Sequence, residues 1–252
     1  MNTLIDRVVE SLPGRISLED MGKVRLMNRT DTKFVTHISK IASLLEIASE
    51  EYLVQEIDGR LNMPYFTRYY DTPTCHMYYE HQRGKKNRQK IRTRLYEGSM
   101  ELPFLEIKTK NNKGRTKKKR ILMEEGEELF VYSEFMGEHS MYLIEDLLPK
   151  IDNHFYRITL VNKNLTERIT IDSQIEFHNL ETDTIKELDN LGIIEWKRTG
   201  RNNISGLERI IRDLRIGQSG FSKYCMGMAM TDERLSHNRL KPKIRMVERL
   251  IG

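Results

Sequence analysis

The chain has 252 residues, of which 38% are hydrophobic and 31% are charged, and its formal net charge at pH 7 is +5. No apolar run approaches the roughly 18 residues of a membrane-spanning helix, and the two cysteines, Cys75 and Cys225, lack metal-ligand spacing. These features exclude a membrane-spanning helix and a cysteine metal site, and they indicate a soluble cytoplasmic protein with reduced thiols.

One domain is expected over residues 1–252, because no stretch rich in Gly, Pro or Ser marks a linker. Hydrophobic spacing predicts a helical N-terminal segment over residues 1–24 and a helical C-terminal tail over residues 231–252. The predicted helices, in chain order, cover residues 4–12, a segment from Ser17, and residues 38–52, 74–81, 138–148, 182–191, 204–214 and 242–250.

The predicted strands cover residues 29–36, 67–71, 89–96, 104–110, 117–123, 156–162, 168–172 and 193–198. Tight returns join some of them, such as NNKG at residues 111–114, where Asn and Gly tolerate positive φ. Together these elements favour an α+β fold in which a closed, antiparallel, eight-stranded β-barrel is covered by helices.

Cations recur at every second position of the predicted strands. In KIRTRL, Lys90, Arg92 and Arg94 share one face of a strand, and Ile91 and Thr93 share the other. The same spacing groups Arg29, Asp31 and Lys33; Glu106, Lys108 and Lys110; Arg157 and Thr159; Arg168, Thr170 and Asp172; and Glu195 and Lys197.

A polar sheet face in water is the simpler interpretation of any one of these strands. Considered together, however, the strands repeat Arg or Lys beside a lone carboxylate. Two cations about 6 Å apart repel by roughly 3 kcal/mol at an effective dielectric constant of 20. The favoured interpretation is therefore a barrel with charges inside and a bound polyanion that offsets their repulsion.

The carboxylates among these cations either pair with a neighbouring base or hold a divalent metal. The candidates are Glu195, which is favoured, and Glu106, Asp31 and Asp172. Mg²⁺ or Mn²⁺ would use one or two such oxygens, with phosphate oxygens and waters completing the octahedron. The two roles stay open for each of these acids.

Several motifs in order along the chain resemble those of the VTC domain, the polyphosphate polymerase domain of the vacuolar transporter chaperone complex, within the CYTH-like triphosphate tunnel group. They are RTDTKFV, RYYDTP, KIRTRLY, FLEIKTK, YRITL, ERITID, IIEWKR and GFSKY. The resemblance runs from about Ile16 to Met230. It implies an eight-stranded tunnel that binds triphosphate, ATP or a polyphosphate chain together with Mn²⁺ or Mg²⁺.

The resemblance also implies roles for individual residues. The catalytic phosphate binders would be Lys33, Arg92, Arg94, Lys108, Arg157, Arg168, Lys197 and Lys223, with Glu195 as the metal ligand. Further substrate-binding residues would be Arg29, Lys90, Lys110, Lys119 and Ser222. The assignment of Lys223, in the helix-like stretch GFSKYCMG, rests on the resemblance alone.

Two positions depart from the family pattern. Gly220 stands where the family often carries a basic residue, so one phosphate contact is missing. Arg29 stands where many tunnel enzymes carry a glutamate, which removes one potential metal ligand.

The implied activity is that of a phosphotransferase that moves the γ-phosphate of ATP onto a polyphosphate chain by alignment and charge neutralisation. Attack by water would make the same site a triphosphatase, and loss of turnover would leave a polyphosphate-binding sensor. A nucleic-acid binder, suggested by KTKNNKGRTKKKR at residues 108–120, is disfavoured because the strands lack interleaved aromatic residues for stacking bases. The sequence does not determine the oligomeric state.

Overall fold

The computed structural model describes residues 4–22, 29–97, 102–124, 126–199 and 206–252. Within them, the helices are α1 (Leu4–Ser11), α2 (Leu18–Met21), α3 (Ile38–Ala48), α4 (His76–Gln82), α5 (Ser133–His139), α6 (Gly206–Asp213), α7 (Lys223–Thr231) and α8 (Lys241–Ile251). The strands are β1 (Arg15–Ser17), β2 (Arg29–His37), β3 (Tyr52–Glu56), β4 (Asn62–Asp71), β5 (Arg88–Tyr96), β6 (Phe104–Lys110), β7 (Thr116–Leu122), β8 (Leu148–Asn162), β9 (Glu167–Asn179), β10 (Thr184–Leu188) and β11 (Leu191–Thr199).

Eight strands form one antiparallel path in the order β2-β11-β9-β8-β4-β5-β6-β7. The predicted α+β fold with a tunnel-like antiparallel sheet is confirmed, and the eight strands of this path are the predicted ones. In the described part of the chain, three further strands complete a sheet of eleven: β10 pairs with β9, β3 pairs with β8, and β1 pairs in parallel with β3. The predicted closure of the barrel is not found, since β2 and β7 do not pair with each other in the described residues. The loop before α7 covers the outer edge of β2 instead: the Ser219 amide donates to the Lys33 carbonyl at 2.9 Å, and Gln218 forms a bridge with Phe34.

The apolar strand faces are buried under helices. Trp196 and Ile194 of β11 pack with buried residues of α1, α3 and α6, such as Val9, Leu44 and Leu207. A second core contains residues of both sheet faces, such as Ile91 of β5 and Ile151 of β8, together with buried residues of α4, α7 and α8. None of the helices in the described part of the chain is long and apolar enough to cross a membrane.

Two predicted helices are wrong. Residues 182–191 form β10 and the start of β11, and β10 pairs with β9 over five residues. Residues 138–148 contain the end of α5, a short 3₁₀ turn and the start of β8. In residues 184–188, pairing with β9 has overridden the local helical spacing.

Helix α7 packs closely against strands β8 and β9 through Gly227. A Cβ at this position would lie 2.6 Å from the Ile151 Cδ1 atom and 2.8 Å from the Phe177 Cδ1 atom. The register places Ile151 opposite Tyr69, which in turn lies opposite Arg92. The helix therefore occupies the sheet face that carries the cations of β5.

We expect Gly227→Ala to lower the free energy of unfolding by about 1–3 kcal/mol, because the added methyl group overpacks this contact. Gly137→Ala in α5 is the matched control, since nothing lies within 4 Å of its Cβ position. Urea denaturation of both variants measures the difference. Equal stability of the two variants would show that α7 is not held by this close approach.

Candidate anion-binding site

The backbone register places the predicted charged residues on one face of the sheet. Lys33 lies opposite Glu195, and Glu195 lies opposite Thr170. Directly opposite residues share a sheet face. Following the register through β8 and β4 to β5 and β6 gives what we call the charged face: Asp31, Lys33, Lys90, Arg92, Arg94, Glu106, Lys108, Lys110, Arg157, Arg168, Asp172, Glu195 and Lys197.

The charged face is enclosed over much of its area. Arg92, Arg94 and Lys197 are only 7–8% exposed, and Glu106 is fully buried. Buried charges are unfavourable unless they are paired and hydrogen-bonded. The partners of these groups therefore decide what the site can bind.

Glu106 is held between two cations. Arg92 donates from Nε and Nη2 to Glu106 Oε2, at 2.8 and 2.6 Å, and Lys118 of β7 donates to Glu106 Oε1 at 2.8 Å. Burial alone would raise the pKa of Glu106, but the positive charges of Arg92, Arg94 and Lys118 hold this pKa well below its ordinary value. Both carboxylate oxygens are already engaged.

Asp172 forms a second cluster. Arg157 donates to its two oxygens at 2.6 and 2.8 Å, and Lys223 from the start of α7 donates to Oδ2. The Phe155 ring lies beneath both cations, with its centroid 3.4 Å from Lys223 Nζ and 5.2 Å from the Arg157 guanidinium. Burial alone would raise the pKa of Asp172, but Arg157 and Lys223 hold it well below its ordinary value.

Glu195 forms a third, looser cluster. Its oxygens lie 3.5 Å from Lys33 Nζ and 3.1 Å from Lys197 Nζ. Burial alone would raise the pKa of Glu195, but the charges of Lys33, Lys197 and Arg157 lower it well below the ordinary value. Burial lowers the pKa of Lys197 to about 8, although Glu195 acts in the opposite direction.

The cations outnumber these carboxylates. Lys90 donates to the Ser222 hydroxyl at 2.8 Å, and Arg94 donates to the Thr67 hydroxyl at 3.1 Å. Lys108 has no ion-pair partner in the described residues, and the charge of Arg92, together with burial, lowers its pKa to about 5. Such repulsion between neighbouring cations would be offset by an anion with several charges.

The described residues contain no group of three or more His, Cys, Asp or Glu side chains that could hold a metal ion. Glu106 and Asp172 are engaged by close ion pairs, and Asp31 is exposed. Glu195 has longer contacts, and the opposite Thr170 hydroxyl is buried with no hydrogen-bond partner in the described part of the chain. Glu195 therefore fits as the one carboxylate ligand of a Mg²⁺ or Mn²⁺ ion whose other ligands are phosphate oxygens and waters.

Some predicted site residues lie elsewhere or outside the description. Lys119 lies opposite Ile107, on the other sheet face from Lys118, so its side chain is not part of the charged face. The Arg29 backbone is in β2, but its side chain lies outside the described residues. Ser222 is the N-cap of α7 and contacts Lys90.

The sequence interpretation missed several residues of this face. On β7, Lys118 and not Lys119 lies on the charged face, opposite Lys108. On β5, Arg88 lies on the same face, opposite Lys110. The alternation of KIRTRL extended by two residues would have found Arg88, whereas a run of three lysines gives no sign of which lysines point inward. The aromatic rings Tyr65 and Phe155, beneath Arg94 and Arg157, were also missed.

Comparisons with known proteins agree with this fold. The sequence model of the VTC domain family matches residues 28–232. A "putative adenylate cyclase" from Bacillus halodurans has a similar structure, with a TM-score of 0.51 and 12% identity over 78% of this chain and 96% of that chain. A "putative adenylyl cyclase" from Hippeastrum, described as having a dominant triphosphatase activity, gives a TM-score of 0.50 and 14% identity over 84% of this chain and 100% of that chain. No curated protein sequence matches the chain.

Proposed function

Because the chain belongs to the VTC domain family, we propose that it is a phosphotransferase of the polyphosphate polymerase type. In this proposal, the charged face binds ATP and a growing polyphosphate chain, and the γ-phosphate of ATP is transferred onto the chain. The observation that supports it most directly is the excess of enclosed cations over carboxylates on the charged face.

The chemistry requires alignment and neutralisation of phosphate oxygens more than a covalent nucleophile. The proposed catalytic phosphate binders are Lys33, Arg92, Arg94, Lys108, Arg157, Arg168, Lys197 and Lys223. Of the further substrate-binding residues predicted, Arg29, Lys90, Lys110 and Ser222 are retained, and Lys118 takes the place of Lys119. Phosphate groups would replace the carboxylates as partners of these cations.

We assign the metal to Glu195, with Asp31, which lies opposite Lys197 on the neighbouring strand β2, as a weaker candidate ligand. A bound Mn²⁺ or Mg²⁺ would neutralise charge on the phosphate oxygens. The lysines that flank Glu195 would then turn from the carboxylate toward the phosphates. The nitrogen–oxygen distances from these lysines to Glu195, 3.1 and 3.5 Å, are longer than the 2.6 Å distances of the Arg92–Glu106 and Arg157–Asp172 ion pairs.

We further propose that residues 1–252 form one domain. Residues from α1 and α8 take part in the two cores that also bury the central strands, which supports this organisation. A cytoplasmic location stays a prediction.

A triphosphatase is the second candidate. The Hippeastrum protein of similar fold is described as having this activity, and water in place of the acceptor chain would give hydrolysis at the same face. The two reactions differ in the acceptor and not in the cations that bind the donor phosphates.

The deciding experiment is incubation of the purified protein with ATP labelled at the γ-phosphate, in the presence of Mn²⁺ or Mg²⁺. Label in long chains would support the polymerase, and label in free phosphate would support the triphosphatase. Tripolyphosphate binding without turnover would leave a polyphosphate-binding sensor. Absence of both turnover and binding would contradict the polymerase, the triphosphatase and the sensor hypotheses alike.

Lys108 gives a pH prediction. With its pKa lowered to about 5, this lysine is mostly neutral in the free protein at pH 7, and a bound polyanion would favour its charged form. Binding should therefore take up a proton, and affinity should fall as the pH rises from 6 to 8, by about tenfold per unit for each proton taken up.

Calorimetry of tripolyphosphate binding in buffers of different ionisation enthalpy measures this uptake. The Lys108→Gln variant corrects for protons bound by the ligand itself and by other groups. Its uptake should be smaller than that of the unmodified protein by about one proton. An identical uptake in both proteins would contradict the prediction.

A further inference from the structure

At the end of β5 and β6, the charged face reaches Lys110, and a cation that the sequence interpretation missed, Arg88, lies beside it. Arg88 and Lys110 lie directly opposite each other, and the next pair on this face is Lys90 and Lys108. Like charges directly opposite one another across two strands are destabilising. In the described part of the chain, neither Arg88 nor Lys110 has an ion-pair partner.

A cation from α8 lies beside this end of the sheet. A Cβ built on Gly220 would lie 3.4 Å from Lys243 Nζ, so the ammonium group occupies the space that a side chain at this position would use. Gly220 is two residues before Ser222, whose hydroxyl accepts the hydrogen bond from Lys90. Lys243 therefore lies next to the point where the charged face ends at α7.

Packing of α8 fixes the position of Lys243. Val247, one turn further along the helix, is fully buried, and Leu240 just before the helix is 6% exposed. Residues four apart lie on the same side of a helix. The buried side of α8 thus directs Lys243 toward the protein, although α8 lies outside the residues matched by the family model.

The half-buried imidazole of His81 lies near these cations. Burial lowers the pKa of His81 to about 2, and the charges of Lys90, Arg88, Lys243 and Lys110 act in the same direction. The four cations therefore lie near enough to His81 to disfavour its charged form. His81 adds no charge of its own, and the described residues place no carboxylate within ion-pair distance of Arg88, Lys110 or Lys243.

We propose that Arg88, which lies opposite Lys110, and Lys243 of α8 form a second anion-binding subsite next to the charged face, which we call the mouth subsite. It would bind the phosphate groups of a linear polyphosphate that continues past Lys90 from the charged face. This inference rests on the proposed function, and it gives α8 a part in holding the chain. Tripolyphosphate, which has three phosphate groups, would be held by the charged face alone.

The test compares Lys243→Gln with Lys241→Gln, a matched variant at an exposed position of the same helix. Affinities for long-chain polyphosphate and for tripolyphosphate are measured by calorimetry. Lys243→Gln should weaken long-chain binding about fivefold or more and reduce its salt dependence, while tripolyphosphate affinity stays within about twofold. Lys241→Gln should leave both affinities within about twofold.

Each other outcome overturns a specific part of the proposal. Unchanged long-chain affinity in Lys243→Gln would refute the mouth subsite and leave the proposed function standing. Equal losses for both ligands would show that Lys243 acts on the charged face or on the fold. If the unmodified protein bound neither ligand, the proposed function would fail together with the subsite. If Lys243→Gln unfolded at a lower temperature than the unmodified protein, Arg88→Gln should show the same selective loss of long-chain binding, and its absence there would refute the subsite.

Discussion

Replacement of Glu195 by glutamine is expected to lower metal-dependent turnover of ATP at least about a hundredfold. The amide keeps the shape of the side chain but removes the charge that we assign to the metal. Tripolyphosphate binding without metal should stay within about twofold or tighten, because the anion loses a repulsive neighbour. Single-turnover kinetics and calorimetry measure the two quantities separately.

The binding comparison is best made at pH 6. Glu195 raises the pKa of Lys197, which burial lowers to about 8, so the variant would lose the Lys197 proton at a lower pH. At pH 6, which is well below about 8, more of Lys197 keeps its proton in both proteins, so the difference in its charge is reduced. Glu187→Gln, on the exposed strand β10, is the matched control. Parallel loss of turnover and of metal-free binding in Glu195→Gln would assign Glu195 to the structure of the site and not to the metal.

The Asp172→Asn variant is expected to lose about 3 kcal/mol of its free energy of unfolding, because removal of one partner leaves buried charges uncompensated. Asp172 is 5% exposed and accepts hydrogen bonds from Arg157 and Lys223. Tripolyphosphate should stabilise the variant more than the unmodified protein, since its phosphates can replace the missing carboxylate. Urea denaturation with and without tripolyphosphate measures both effects.

The control is Asp213→Asn, an exposed carboxylate 3.9 Å from Arg212, for which the change should stay within about 0.5 kcal/mol. The pH dependence provides a second check. The pKa of folded Asp172 is lowered from its ordinary value of 3.8, so its contribution to stability is present above about pH 4 and is lost as the pH falls further. A small loss in Asp172→Asn, or no extra stabilisation by tripolyphosphate, would argue against Arg157 and Lys223 as phosphate partners.

Local patterns predicted the charged face because the period of a strand is a local property. Alternation in KIRTRL and FLEIKTK required only that these segments be strands, and the register then places Lys90 opposite Lys108 and Arg92 opposite Glu106. The same reasoning failed at Lys119. In the run of lysines at residues 117–119, alternation permits either phase, and the pairing with β6 selects Lys118.

The helical spacing at residues 182–191 shows a different limit of local patterns. These residues form β10 because the edge of β9 offers five backbone partners, and hydrogen bonds to another strand are not encoded in the spacing itself. The covering of the outer edge of β2 is likewise not predicted by local patterns. That edge is covered by Gln218 and Ser219, which are remote in sequence from Lys33 and Phe34.

The amino-acid sequence alone determined which residues carry charge on each strand and which family the chain resembles, because both depend on residue order and spacing. Only the tertiary structure decided which carboxylates are engaged in ion pairs, which cation of β7 binds Glu106, and how Lys243 of α8 reaches the end of the charged face. These contacts join residues that are distant in the chain. Their geometry follows from register and helix packing, which no local segment specifies.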